Sequence, residues 1–424
     1  MRNICFTSIL LLAAGNPRTQ AQWMNVGEGT NEMVSKMLVH DGDLYVAGSF
    51  VQAGPILTND LAKWNGETWS AVNSPSMVAG DALGLVEFNG QLLAYGAGLI
   101  DGTVSTIVYD GTDWSSMGSN GMGMVNDAAV FNGELYAGGF QWMKWNGSAW
   151  STLGGGTVYA LEVFQGDLYV AGGFTQMNGL PRNNILRWDG NSTFPVGLGV
   201  LNGSVLCMEV YNNELYVGGT FEESEGNPAS SLMKWTGSTW ETAGAGINGQ
   251  VWTLDSLDGK LHVGGSFPVA GGQAVGNMAV WDGTEWSSLG TGLNARVQGF
   301  ALYQNDLYAC GIFNTAGGTL ALNIARYHKE VGITESGPAL DELLIHPQPS
   351  DGRFTLDGLE EEATGCTITV RDATGRIMIR SKIAQGGQVD LRAAYLANGM
   401  YVTEVTKNGH ALGRSRLILR NGTD

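Results

Sequence analysis

The chain has 424 residues, of which 64 are glycine, only 15% are charged, and the formal net charge is −18. That length suits two domains, and abundant glycine with short apolar runs and no long helical period predicts all-β structure with tight turns. Residues 22–340 carry 29 acids against 10 bases, a balance that repels phosphate backbones and anionic lipid and so excludes nucleic acid as a partner.

The N-terminus reads as a secretory signal over residues 1–21. Arg2 supplies the positive start, Ile4 to Ala14 the apolar core, and Thr19-Gln20-Ala21 a small-residue end. Cleavage between Ala21 and Gln22 is expected. No later stretch is long and apolar enough to span a bilayer. Cys207, Cys310 and Cys366 remain after processing, an odd and scattered set that gives no disulfide framework and no zinc spacing.

From residue 22 to 330 the chain repeats itself. One half of the unit is a strand of the form Leu44-Tyr45-Val46-Ala47-Gly48. It recurs at Leu135, Leu168, Leu215, Leu261 and Leu307, and in a degenerate copy, Leu92-Leu93-Ala94-Tyr95-Gly96. The copies stand mostly 43 to 48 residues apart, with one interval of 33. The other half is a hairpin such as Lys63-Trp64-Asn65-Gly66-Glu67-Thr68-Trp69. Asn-Gly and Asp-Gly are the dipeptides a tight turn needs, and flanking aromatics face one another across the strands. Each unit therefore holds four strands, named a to d, which is the sequence signature of a propeller blade.

The phase at the two ends predicts how such a ring closes. Gln22-Trp23-Met24-Asn25-Val26-Gly27 matches only strand d, whereas the seventh unit stops after strand c at Asn323-Ile324-Ala325-Arg326-Tyr327. The first strand is therefore expected to complete the last blade, with Trp23 set beside Tyr327, giving a seven-bladed β-propeller closed by its N-terminal strand. Closure removes an exposed sheet edge.

The glycine pair ending strand b and the aromatic pair of strands c and d resemble kelch-type propellers over residues 22–328, with a shorter c–d turn than that family uses. The resemblance implies a fold far more than a function.

Residues 331–342 read as a linker, and 343–424 as a small Ig-like β-sandwich of short alternating strands. Its motifs are Pro347-Gln348-Pro349-Ser350-Asp351-Gly352, Val370-Arg371-Asp372-Ala373-Thr374-Gly375-Arg376, Leu396-Ala397-Asn398-Gly399-Met400-Tyr401 and Arg416-Leu417-Ile418-Leu419. In this order they are similar to the type A sorting domain of the type IX secretion system of Bacteroidetes. Gln348 stands where that family usually has Asn, and Met400 where Val is common. The resemblance implies Pro347, Pro349, Gly352, Asp372, Gly375, Gly399 and Tyr401 as the sorting motif, the type IX machinery as partner, and a secreted or surface-attached product. An adhesive or carbohydrate-binding sandwich is the alternative reading of this segment.

No catalytic constellation stands out in the repeats. His262 and Cys310 fall in strands b of adjacent units but lack the further ligands of a copper-radical oxidase. Glu222, Glu223 and Glu225 cluster in one b–c loop, where calcium is the one cofactor the sequence admits and a solvated acidic loop is the plainer reading. The a–b and c–d turns share one face and the b–c and d–a loops the other. The b–c loops, at Val51–Asp60, Thr175–Asn184, Glu222–Ser231, Pro268–Asn277 and Asn314–Asn323, read as a variable set, nearly absent in the third unit. A glycan or protein ligand is expected on that face. The sequence favours a binding protein over its alternative, an extracellular carbohydrate-active hydrolase or lyase with a dispersed site.

Overall fold

The computed structural model of the chain describes residues 22–72, 80–118, 123–224, 227–228, 230–328, 341–342, 345–346, 350–356, 365–371, 377–394, 396–407 and 410–420. The expected signal segment, with Ala21, lies outside the described residues. The chain divides into two compact units, residues 1–330 and 331–424. Both are all-β.

Among the described residues the first unit contains seven large antiparallel sheets, six of four strands and one in which a short fifth strand, Gln273–Ala274, pairs beside the four. Their first strands are Val34–His40, Asp81–Phe88, Val125–Phe131, Thr157–Phe164, Val205–Tyr211, Ile247–Leu257 and Val297–Tyr303. Six sheets run a-b-c-d in chain order. The seventh takes Gln22–Asn25 as its outer strand, paired antiparallel with Ile324–His328, so that Trp23 lies opposite Tyr327. Each first strand packs against the first strands of the sheets on either side, and Val297–Tyr303 packs against Val34–His40.

Local chemistry explains why the hairpins form. At the c–d turn, the Asn65 carboxamide oxygen accepts the N–H groups of Glu67 and Thr68 at 2.9 and 2.8 Å, and Gly66 takes φ 100°. Asp110, Asn146, Asp189 and Asp282 make the same turn, which is the Asx geometry these residues favour. The aromatics beside the turn pack in pairs, with ring centroids 5.1 Å apart for Trp64 and Trp69 and 5.0 Å for Trp281 and Trp286. Trp23 and Tyr327, brought together from opposite ends of the unit, stand at 5.1 Å.

In four sheets the strand-d indole also ties the sheet to the one before it. Trp69 Nε1 donates to the Gly27 carbonyl at 3.0 Å and Trp240 Nε1 to Val196 at 3.1 Å. Trp23 Nε1 donates to Leu289, in the sixth unit, at 3.0 Å. The N-terminal strand thus makes the contacts a fourth strand makes elsewhere.

The b–c loops depart from expectation. They are not variable: the five loops of the first, fourth, fifth, sixth and seventh sheets are equal in length and fold as short hairpins. Each begins at a buried phenylalanine, Phe50, Phe174, Phe221, Phe267 or Phe313. Each ends on a residue in the left-handed region, Asp60, Asn184, Ser231, Asn277 or Asn323. These end residues tie the loops down. Asn184 Oδ1 accepts the Phe174 N–H at 3.0 Å and its Nδ2 donates to the Val200 carbonyl at 2.9 Å. In the third sheet Phe140 alone separates Glu134–Gly139 from Gln141–Trp145.

The second unit has a five-stranded and a three-stranded sheet. Phe354, Leu356, Ile368, Val370, Val389, Tyr401, Val405 and Leu417 belong to one buried cluster. Cys207 is half-buried, and Cys310 and Cys366 are buried.

Candidate functional site

A polar cavity of about 510 Å³ lies among the first strands, and every one of the seven sheets contributes to it. A β-bulge makes this so. In each sheet the a–b register shifts in the first half of the first strand, as between Val34 and Lys36, Val125 and Asp127, and Val251 and Thr253. Bulges re-aim a side chain. The bulged residues, Ser35, Leu83, Asn126, Tyr159, Leu206, Trp252 and Gln298, all line the cavity. They sit near the start of strand a, the end fed by the d–a loops.

Further along the same strands come the charges. Asp127 Oδ1 accepts the Tyr95 hydroxyl and the Ala128 N–H, each at 2.9 Å, while Oδ2 accepts the N–H of Leu161 in the next sheet at 2.8 Å. Asp255 Oδ2 accepts the Thr253 hydroxyl at 2.8 Å and the Phe300 N–H of the next sheet at 3.2 Å. Glu209 Oε1 accepts the Ser256 N–H of the next sheet at 3.2 Å. An innermost strand has one edge without a ladder partner, and these carboxylates satisfy N–H groups there. Part of the acidic lining is therefore structural.

Lys36 is the ammonium among these acids. Its Nζ stands 3.9 Å from Asp255, whose charge, ahead of those of Asp127 and Glu209, raises the lysine pKa and holds it protonated. For Asp255 itself, burial outweighs one ammonium at that distance, and its pKa moves up. Burial also raises Asp127. Glu162 is pushed up to about 7 by burial and then by the Asp127 charge. Glu209 is pushed up to about 8 by burial, then by Asp255 and Glu162. Two carboxylates thus change charge near neutrality, a property that clusters at functional sites and also in structural networks.

Tyr95 breaks the repeat. It pairs with Gly84 where the other sheets place Ala47, Gly138, Ala171, Gly218, Gly264 and Cys310 in strand b. A Cβ on Gly84 would stand 2.2 Å from the Tyr95 ring, so the glycine leaves room for the ring that reaches Asp127. The degenerate copy in the sequence is a paired substitution that serves the cavity.

Other expected positions behave differently. Glu222 is exposed, and Glu223 lies in a hairpin opposite Pro228. Glu225 lies outside the described residues. Among the described residues no group of three or more His, Cys, Asp or Glu is arranged to hold a metal. On the b–c and d–a loops, Leu57, Leu320 and Leu198 are 79%, 66% and 65% exposed. Of the sorting-motif positions, Gly352 adopts φ 99° and its carbonyl accepts the Leu391 N–H at 2.7 Å, Gly399 pairs with Leu419, and the Tyr401 hydroxyl donates to the Ala397 carbonyl at 2.9 Å. Pro347, Pro349, Asp372 and Gly375 lie outside the described residues.

Comparison with known families locates the second unit's role. Residues 344–420 match the secretion system C-terminal sorting domain. This sorting domain supports export by the type IX secretion system, implies interaction with that machinery, and indicates a secreted or cell-surface protein. Among the described residues, no helix is long and apolar enough to cross a membrane. No curated protein matches the chain. Among solved structures, a Bacteroides thetaiotaomicron protein of unknown function is 12% identical, covering 74% of this chain and 98% of its own, with a TM-score of 0.37. A second, a chain from a crystal structure of BBS1N in complex with ARL6DN, is 11% identical, covering 74% of this chain and 99% of its own, with a TM-score of 0.41.

Proposed function

We propose that the first unit is a kelch-like, seven-bladed β-propeller closed by its N-terminal strand, and that it is a ligand-binding protein delivered outside the cell by an Ig-like sorting domain. The domain reading is a signal over residues 1–21, a propeller over 22–330, a linker over 331–342 and a sorting domain over 343–424. Pairing of Gln22–Asn25 with Ile324–His328 and the mutual packing of first strands support the ring. The observation that carries the binding reading is the inner-strand cavity, where side chains depart from the repeat and bulges aim them inward. A glycan or protein ligand would enter from the b–c and d–a loop face, whose exposed leucines would extend the contact. A glycan array probed with the mature protein, and with Tyr159→Ala and Trp252→Ala variants, tests this. Binding lost in both variants supports the cavity; retention in both refutes it.

The second reading, a carbohydrate-active enzyme, draws on Glu162 and Glu209, whose pKa values near neutrality suit general acid work. Turnover of an array glycan that disappears in Glu162→Gln or Glu209→Gln would establish it.

A further inference from the structure

We propose that the inner-strand cavity binds a ligand carrying a protonated amine, seated against the carboxylates of Glu162 and Glu209. The proposal rests on the binding reading above and names the chemistry of its ligand.

The cavity carries more acid than its own structure consumes. Asp127 receives three donors and Asp255 two, besides its ion pair with Lys36. Glu162 and Glu209, from adjacent sheets, each accept a single backbone N–H, from Val163 and Ser256, on one oxygen. Among the described residues the second oxygen of each carboxylate has no donor. Among the described lining residues Lys36 is the one ammonium, and it faces Asp255. A second cation would complete the charge balance.

An independent polar group points to a ligand. Ser35 is only 7% exposed, lines the same cavity, and its hydroxyl has no hydrogen-bond partner among the described residues. A buried hydroxyl without a partner is destabilising, and a ligand that hydrogen-bonds there removes the penalty. Tyr159, on the same strand as Glu162, adds an aromatic ring to the lining, and amines pack well against such faces. Trp252 of the lining already makes one such contact, with the Arg296 guanidinium 4.3 Å from its ring centroid. An amine fits this set better than a metal ion, because two carboxylates and aromatic rings are present and no group of three ligands is, among the described residues.

Charge on Glu162 and Glu209 makes binding depend on pH. The ionisable groups facing them are Lys36, Asp127, Asp255 and Cys207. Burial raises the Cys207 pKa and keeps it a neutral thiol. The two glutamates are protonated below about 7 and 8 and charged above, so affinity for an amine rises with pH across that window.

Isothermal titration of the full mature chain with 1,4-diaminobutane tests the proposal. Saturable binding is expected at pH 8.5, weaker by about tenfold or more at pH 6. Neutral 1,4-butanediol should give no signal, and Glu162→Gln with Glu209→Gln should lose the diamine while melting as the parent does. If the double variant does not fold, each single variant should weaken binding by about tenfold. No diamine binding at pH 8.5, unchanged binding in the variants, or calcium binding in place of the diamine would overturn the proposal. A glycan that binds the cavity while the diamine does not would overturn it and leave the binding reading standing.

Discussion

Asp60→Asn should stabilise the first unit, and only where the wild-type carboxyl is charged. Asp60 ends the first b–c loop at the position held by Asn184, Asn277 and Asn323 in three other sheets. The Asn277 carboxamide accepts the Phe267 N–H at 3.1 Å and donates to the Leu293 carbonyl at 2.8 Å; Asn323 donates to Thr30 at 2.9 Å. Asp60 is 1% exposed; its Oδ2 accepts the Gly80 N–H at 2.7 Å, but its buried Oδ1 has no partner among the described residues. Burial pushes its pKa from 3.8 to about 6. An acid whose pKa is raised on folding costs nothing below its unfolded value, and stability falls as pH climbs through the folded one. At about 1.4 kcal/mol per pKa unit, two units put the cost near 3 kcal/mol above pH 6. Asparagine keeps the acceptor for Gly80, removes the charge and restores a donor. All thirteen tryptophans lie between residues 23 and 286, so urea unfolding followed by tryptophan fluorescence reads the first unit alone. A gain of about 1–3 kcal/mol at pH 8 with little gain at pH 4 is expected. An equal gain at both, or a loss at pH 8, would refute the reasoning.

Other substitutions probe separate contacts. Gly84→Ala drives a methyl into the Tyr95 ring and should cost about 1–3 kcal/mol in urea unfolding; adding Tyr95→Ala should recover part of the loss, as neighbours couple. Trp23→Ala removes a 3% exposed indole and its bond to Leu289, and should cost about 3–5 kcal/mol. Deleting residues 22–27 should lower the melting temperature sharply, and an unchanged melting curve would count against closure. Truncation before residue 344 should leave the protein inside the outer membrane while the first unit keeps its fluorescence spectrum, measured by fractionation; continued export would contradict the sorting role.

Local chemistry made much of the fold legible. Leu-Tyr-Val-Ala-Gly strands and Asn-Gly turns act within a few residues, so their repetition can be read along the chain, and the unmatched strand beginning at Gln22 showed the phase. The cavity was harder to see. Lys36, Asp127, Glu162, Glu209 and Asp255 come from five strands and converge only when the sheets pack. The bulge that aims Ser35, Tyr159 and Trp252 inward lies in the a–b register, which no short window reveals. A trace was present: each of the five strands carries a single acid or lysine. The shared length of five b–c loops and their Phe and Asn anchors show only when the loops are aligned with one another, and the clustered Glu222 and Glu223 belong to such a loop, whereas Glu162 and Glu209 stand singly on the inner strands. The degenerate strand at Leu92 had its explanation in Gly84, its partner across the sheet.

Closure of the seven sheets by the first strand is the claim on which the cavity depends. Gln22 and His328 face each other directly across that pairing, and opposed residues of an antiparallel pair lie within the reach of a disulfide. Gln22→Cys with His328→Cys, oxidised in dilute solution and mapped by mass spectrometry, should give an intramolecular crosslink and a higher melting temperature. Thiols that stay free, or that link only between molecules, would contradict the ring.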